Sequence, residues 1–589
     1  MSDSPVVYTK ELGRILALPR RDWANQEGLR VLADQLKQVY GQPRGTQHLR
    51  PIQTAAILDA YNVRGLFGPI PVGAGKTLAS FLIPVVIEAK RPLLLVPAKL
   101  KAKTGREYGA YRQHWKILPI RTESYESLGR ADNADVIERY KPDLIIADEA
   151  HKLKNRDAAV TKRVERYVEA NPATVVVAMS GSFTNRSIRE YAHIVHWCLG
   201  DHGFLPRGDD ELGTWAAVLD ADKNRIPSPP GALALLTGDH TAKVPTVYNP
   251  FEIEGWVAKT RQGYFRRMVE TPGVIATTEA VVDIPMKIRA VEPPGIRDSK
   301  PIADAFAQLR ELWETPDGHP FAEAYDLWRH ARELVCGFFY RWNPRPPDDW
   351  LEARKAWCKF VRSTLNYGPP GYDSMLQVAR GCQTHVLEDG TEVPPKLDPR
   401  AYEDWVAVRD TFKPQTEPVW IDDSALKYAG NWLKTRRGIC WVEHVAFGEK
   451  LEEMTGIPYY GRGGMSARGG YIEAERGPLI ASIRSNCEGR NLQTAHSRNL
   501  VVSNPCNATM WEQLMGRTHR PGQLDDVVEF DIVLACAEQL NGLLGAIREA
   551  EYVQATQGAR QKLLLADVQG LDDLEYDAVR SPSLLWTPA

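Results

Sequence analysis

The 589-residue sequence has no long apolar run, no Cys-x-x-Cys pair, no internal repeat and almost no charge imbalance, and each gap closes off a class of function. The Leu/Ile/Val-rich stretches are short and broken by charge or Pro, so no membrane span is expected. The N-terminal stretch MSDSPVVYTKELGRILALPRR has no apolar core of signal length and carries early acidic residues. Neither export nor organelle import is expected, which leaves the cytoplasm as the expected compartment. Eight cysteines, Cys198, Cys336, Cys358, Cys382, Cys440, Cys487, Cys506 and Cys536, are scattered without zinc-ribbon spacing and read as reduced thiols. A net charge of -2 advertises no polyanion partner, yet it excludes none, because a nucleic-acid enzyme needs only a local basic groove.

What is present is 43% hydrophobic and 25% charged residues in a chain long enough for three or four units at about 150 residues each. From Gln47 to about residue 200, short apolar runs alternate with amphipathic segments, the pattern of a parallel sheet wrapped by helices. Strands are expected at Gly65 to Ile70, Pro92 to Val96, Asp143 to Ala147 and Thr174 to Met179. A second alternation predicts strands at Ile439 to Val442, Leu479 to Ile483, Leu500 to Val502 and Val527 to Val533. Between the two, Trp313, Trp328, Trp342, Trp350 and Trp357 punctuate helices broken by turns such as Asn343-Pro344-Arg345-Pro346-Pro347. Their spacing suits core anchors better than a base-stacking platform.

Chemistry-bearing residues come directly after the predicted strands, where ligands gather in open α/β sheets. In Gly73-Ala74-Gly75-Lys76-Thr77 the glycines allow a loop whose N–H groups face phosphate, Lys76 supplies a point charge and Thr77 a hydroxyl for Mg2+. Ile70 stands where the strict eight-residue pattern has glycine. Asp148 and Glu149 end the run Leu144-Ile145-Ile146-Ala147, so one carboxylate can hold metal and the other orient water. Gln53, 23 residues before Lys76, has an amide able to pair with the edge of adenine. Arg517 and Arg520, three apart on an expected helix, are candidate arginine fingers for the same phosphates. Lys99-Leu100-Lys101-Ala102-Lys103 with Arg106 is either a solvated helix face or a phosphate track. Gly461 to Arg468 reads as a mobile loop rather than an Arg-Gly nucleic-acid motif.

Taken in order, Leu49 to Gln53, Gly73 to Thr77, Leu95 to Ala98, Asp148 to Asn155, Ser180 to Ser182, Glu488 to Leu492 and Gln513 to Gln523 resemble superfamily 2 helicases and, within them, the Swi/Snf-type DNA translocases. The likeness spans about residues 45 to 535 and extends to Tyr264-Phe265-Arg266-Arg267 with Ile284-Pro285. It implies an α/β fold of two RecA-like parallel-sheet lobes in tandem with a helical insertion between them. The expected boundaries are an N-terminal helical extension over 1–44, lobe 1 over 45–295, the Trp-rich insertion over 296–415, lobe 2 over 416–540 and a tail over 541–589.

The same likeness implies a nucleic-acid-dependent ATPase that uses ATP and Mg2+ to move on duplex or forked DNA, in replication, repair or recombination, with a monomer as the working expectation and the cytoplasm of a bacterium or a phage-infected host as the expected setting. Lys76, Glu149, Arg517 and Arg520 would be catalytic, and Gln53, Gly73, Gly75, Lys76, Thr77 and Gln513 would hold the nucleotide, with Gln513 at the lobe interface. Thr77 and Asp148 would hold the metal, His151, Ser180 and Gly489 would couple nucleotide to lobes, and Lys99 would touch nucleic acid. Ser182-Phe183 in place of Thr-Pro, and Arg490 where relatives carry a small or hydrophobic residue, depart from the pattern. An RNA helicase and a non-translocating, ATP-dependent DNA-binding recruitment factor are the alternatives.

Overall fold

The computed structural model describes residues 6–571 apart from 22–25, 72, 221–227, 239–249, 277–281, 283, 297, 313, 319–323, 368, 370–371, 373–374, 387–391, 414, 506 and 559. Val72, Trp313, Cys506 and the tail from 572 therefore lie outside the described residues. The fold is α/β, with two parallel sheets. Among the described residues no helix is long and apolar enough to cross a membrane.

The first sheet contains β1 (Leu66–Pro69), β2 (Pro92–Val96), β3 (Arg121–Ser124), β4 (Leu144–Asp148) and β5 (Val175–Ser180), in the order β1-β5-β4-β2-β3. Every pairing is parallel. The central strands, such as LIIAD and VVVAMS, are buried on both faces, which is why they read as unbroken apolar runs. Their carboxyl ends carry the loops of interest.

Further along the chain come β6 (Met286–Val291), β7 (Phe338–Trp342), β8 (His385–Val386), β9 (Glu392–Val393), β10 (Thr416–Trp420), β11 (Ile439–Val442), β12 (Tyr459–Tyr460), β13 (Leu479–Ser482), β14 (Arg498–Val501), β15 (Val528–Val533) and β16 (Val568–Gln569). The second sheet runs β12-β13-β11-β14-β15-β6-β16. β7 pairs with β10 and β8 with β9, both antiparallel.

Two of the expected divisions change. β6, counted with the first lobe, pairs with β15 along six residues and so belongs to the second sheet. Residues 296–342 are not part of a separate insertion: Ile302, Phe306, Leu334 and Phe338 pack in one core with Leu426, Leu433 and Val442. Only the segment around helices Asp348–Tyr367 and Arg400–Arg409 keeps its own small core, built on Trp357, Val361 and Val378. Trp350 and Trp357 are buried, as anchors should be, whereas Trp342 is 38% exposed.

The N-terminal segment is not a loose extension. Thr9 caps helix Lys10–Leu16, whose Leu12 and Ile15 are fully buried in the first core. Arg267 donates to the carbonyls of Leu18 and Pro19 at 3.1 and 2.7 Å, fastening the segment down. Nor is the C-terminal stretch only a tail. Helix Ala537–Gln557 packs against both sheet regions: Gln557 accepts from Phe183 N and donates to Thr184 O, while Glu549 accepts from Arg186 Nε at 3.1 Å and from Ala508 N at 3.1 Å.

Candidate nucleotide site between the two sheets

Beyond the carboxyl end of β1 the chain turns through Gly73 (φ 90°) and Gly75 (φ 89°), both left-handed. That conformation favours glycine, and a Cβ on Gly75 would lie 2.1 Å from Gln53 Nε2. Gln53 fixes the loop: its Oε1 accepts from Arg50 N at 2.8 Å and its Nε2 donates to Gly75 O at 2.9 Å. Arg50 adds a bond to Gly73 O at 2.9 Å. The Gln53 amide, expected to read adenine, thus spends one donor and one acceptor on the loop and retains one of each for a ligand. Lys76 opens helix Lys76–Val86 and is 8% exposed. Its Nζ donates to Ile70 O at 3.1 Å and stands 3.6 Å from Glu149 Oε1.

Asp148 is the last residue of β4, and Glu149 comes next in the left-handed region (φ 56°, ψ 49°). A non-glycine residue held there is strained, a state that persists where the surroundings over-determine it. Glu149 N donates to Asp148 Oδ1 at 3.1 Å, and the buried Tyr125 hydroxyl donates to Asp148 O at 2.7 Å. Burial, reinforced by the charge of Glu149, pushes Asp148 up to about 7, against the pull of Lys76. Burial also works to raise Glu149, but Lys76 and His151 outweigh it and hold that carboxylate ionised. His151 Nδ1 lies 3.4 Å from Glu149 Oε2 and 3.0 Å from Ser180 Oγ. Ser180 gives its own proton to Ser182 O at 2.6 Å, leaving its oxygen to accept from the imidazole.

Arg517 and Arg520 are not on a helix, contrary to the expectation. Helix Ala508–Met515 ends at Gly516, a poor helix former, and the chain continues in turns closed by Arg517 N to Leu514 O and His519 N to Met515 O. A buried chain of side chains pins these turns: Trp441 Nε1 donates to Asn499 Oδ1 at 3.0 Å, and Asn499 Nδ2 to Thr518 Oγ1 at 3.1 Å. Arg517, 4% exposed, donates Nε to Gln513 O at 2.7 Å and Nη1 to Arg490 O at 3.0 Å. Burial chiefly, with Arg520 beside it, lowers its pKa to about 10, so it keeps its charge at neutral pH. Burial lowers Arg520 too, with Glu107 opposing; its Nη1 donates to Asn491 Oδ1 at 2.8 Å.

Both guanidinium-bearing residues line one cavity of about 360 Å³ together with Gln53, Gly73, Gly75, Lys76, Thr77, Asp148, Glu149 and Gly489. Gly489 (φ 74°) marks a close approach between the two sheet regions, since a Cβ there would fall 2.0 Å from Leu100 Cδ2. Gln513, expected among the nucleotide ligands, does not line this cavity. With Lys99 and His151 it lines a neighbouring one of about 260 Å³, and it is its backbone carbonyl, not its amide, that accepts from Arg517. Lys99 donates to Arg484 O across the same junction, and Lys152 Nζ stands 3.4 Å from Glu488 Oε1.

Sequence reasoning missed part of the wall. Lys103, Glu107 and Tyr111 line the 360 Å³ cavity from helix Ala98–Tyr111, joined by Gln47, His48 and Arg50. Lys103 belongs by sequence to the basic run, yet burial lowers its pKa, with Arg517 and Arg520 adding to the effect and Glu107, 3.6 Å away, opposing it. The four-residue spacing of 103, 107 and 111 puts them on one helix face, the signal that would have separated Lys103 from Lys101. Gly461 to Arg468, read as a mobile loop, turns through left-handed Gly463 (φ 75°) and Gly464 (φ 71°) and carries bridges from Tyr460 to Ser466 and from Met465 to Tyr471.

Among the described residues no group of three His, Cys, Asp or Glu could hold a metal by itself. A hydroxyl and one carboxylate, Thr77 and Asp148, still suit Mg2+, which keeps waters and shares phosphate oxygens rather than filling an all-protein cage. Comparison with protein-family models finds no match to this chain, and comparison with curated proteins finds none.

Proposed function

We propose that the protein is a DNA-dependent ATPase of the superfamily 2, Swi/Snf-like kind, whose sheets are RecA-like lobes that close on MgATP and convert its hydrolysis into movement on duplex or forked DNA. One observation carries the reading: Arg517 and Arg520 from the second sheet region and Lys76, Asp148 and Glu149 from the first line the same cavity.

In this reading Gly73, Gly75 and Lys76 cradle the phosphates, with the Lys76 ammonium offsetting their charge. Glu149, kept ionised by Lys76 and His151, orients the attacking water through its carboxylate oxygens. Arg517 and Arg520 spread their planar forks over the oxygens that gain charge as the phosphoryl group transfers. Mg2+, when held by Thr77 and Asp148, supplies further neutralisation of the phosphates. Because the guanidiniums come from the far sheet, turnover requires closure, and its reversal is what can drive a step. In this reading His151, Ser180 and the 182–185 loop carry the cycle between the halves, and contacts of that loop with the second sheet region support it: Ser182 Oγ lies 3.2 Å from Thr509 Oγ1, which donates to Asn185 Oδ1 at 2.7 Å.

The test is ATP turnover with duplex DNA, single-stranded DNA, forks and RNA. Duplex or forked DNA is expected to raise turnover at least about tenfold, and Lys76→Ala or Glu149→Gln to lower it by about 10³ or more. Undiminished turnover in either variant would reject the site, and stimulation by RNA alone would reassign the substrate. Displacement of a triplex strand separates a translocating enzyme from a static binder.

A further inference from the structure

Arg490, the residue that departs from the Swi/Snf-type pattern, is tied at both ends. Its Nη1 lies 3.1 and 3.4 Å from the two carboxylate oxygens of Glu473, on the short turn Ile472–Ala474. Its carbonyl oxygen accepts from Arg517 Nη1 at 3.0 Å and from Arg520 Nη1 at 3.3 Å. Gly464 (φ 71°) closes the contact from the other side, because a Cβ there would meet Arg490 Nη2 at 2.4 Å. The segment 462–473 that holds Arg490 is one wall of a cleft of about 940 Å³ whose other wall is helix Ala98–Tyr111. Beyond the Arg490–Glu473 pair, Lys99, Lys103, Arg106 and Arg462 outnumber the carboxylates Glu107 and Glu488 that also line the cleft, and Tyr471, 57% exposed, gives it an aromatic surface.

We propose that Arg490 is a positioning residue: its ion pair with Glu473 fixes the peptide carbonyl that aims both arginine fingers, so the wall of the 940 Å³ cleft sets the geometry of the phosphate cavity. One peptide oxygen shared by two guanidiniums moves both when it moves, and the charged anchor of that residue's side chain is Glu473. Charge-assisted, bidentate-capable pairing makes such an anchor directional. A polyanionic strand entering the cleft meets the cations beside this anchor, which gives a route from strand to fingers. The inference rests on the ATPase reading above.

The experiment measures kcat and KM for ATP, with and without duplex DNA, in full-length wild type, Glu473→Gln, Arg490→Lys and the exchanged pair Glu473→Arg/Arg490→Glu. Since the fingers act in the transition state, Glu473→Gln is expected to lower kcat about 5- to 20-fold while KM stays within about twofold. Arg490→Lys should fall between that variant and wild type, and the exchanged pair should recover at least half of the lost turnover at an unchanged melting temperature. Wild-type turnover with an unaltered kcat in Glu473→Gln overturns the positioning role alone. A wild type that neither binds nor hydrolyses ATP overturns the ATPase reading and this inference with it.

Discussion

On the first-sheet side of the cavity two working residues follow from strands: Lys76 opens the helix after β1 and Asp148 closes β4. On the second-sheet side Arg517 and Arg520 sit in turns whose shape depends on Asn499, Trp441 and the carbonyl of Arg490. The first half is rigid by local design, with left-handed glycines locked by Gln53 and Arg50. The second half is aimed by contacts between residues far apart in the chain. A site of this kind can be assembled and dismantled by moving one half, as the proposed function requires.

The difference between the halves is broken most readily at their glycines. Gly75→Ala puts a Cβ against an amide held by two hydrogen bonds, on a left-handed backbone that costs a non-glycine residue about 1–2 kcal/mol. ATP titrations should show KM rising at least about tenfold, consistent with loss of the cradle rather than of closure. Gly489→Ala shares the backbone cost, but its Cβ meets only the end of the Leu100 side chain, so its effect on KM should be the smaller. Equal effects would mean that the two halves are equally rigid.

A moderate effect is expected where helix Ala537–Gln557 joins them. Gln557→Ala leaves Phe183 N and Thr184 O without their partner in a buried setting, a loss of about 1–3 kcal/mol that should lower the melting temperature by several degrees. Under the proposed function ATP binding would draw on the first half and turnover on both, so ATP binding should change less than turnover.

The smallest effect concerns acid. Burial holds His193 at about 4, packed against Trp197 with its Nε2 2.9 Å from Leu153 O. The folded protein therefore refuses a proton that the unfolded chain takes near 6.5, and this contribution to stability is lost as pH falls from about 6.5 toward 4. His193→Gln removes that dependence, so its difference from wild type in urea midpoint should shrink between pH 7.5 and 5. A constant difference would show that His193 is not the proton-refusing group.

The same contrast explains what could be read in the sequence. Buried parallel strands write themselves as apolar runs, so Pro92 to Val96 and Ile439 to Val442 are found where expected, and the first-half site is legible from its position after such runs. β3 and β6 carry polar residues, Arg121-Thr122-Glu123-Ser124 and Lys287 with Arg289, and give no such signal. The partner of β6 is β15, more than two hundred residues on, a pairing that no local pattern encodes. The arginines were identifiable by type and order, but their turn was not, since Gly516 ends the helix and Asn499 holds Thr518 in the turns beyond it. Lys103 was hidden in a basic run of whose cations it alone, with neighbouring Glu107, reaches the 360 Å³ cavity, whereas Lys99 and Arg106 line the larger cleft beside it.

The most direct test of the shared cavity is to measure MgATP affinity and single-turnover hydrolysis on the same samples of wild type and Arg517→Ala. Loss of about 10³-fold in the hydrolysis rate at unchanged affinity is the expected result, because the guanidinium acts on charge that develops only in the transition state. Hydrolysis at the wild-type rate in Arg517→Ala would contradict it, and would mean that the second sheet contributes no charge to the reaction.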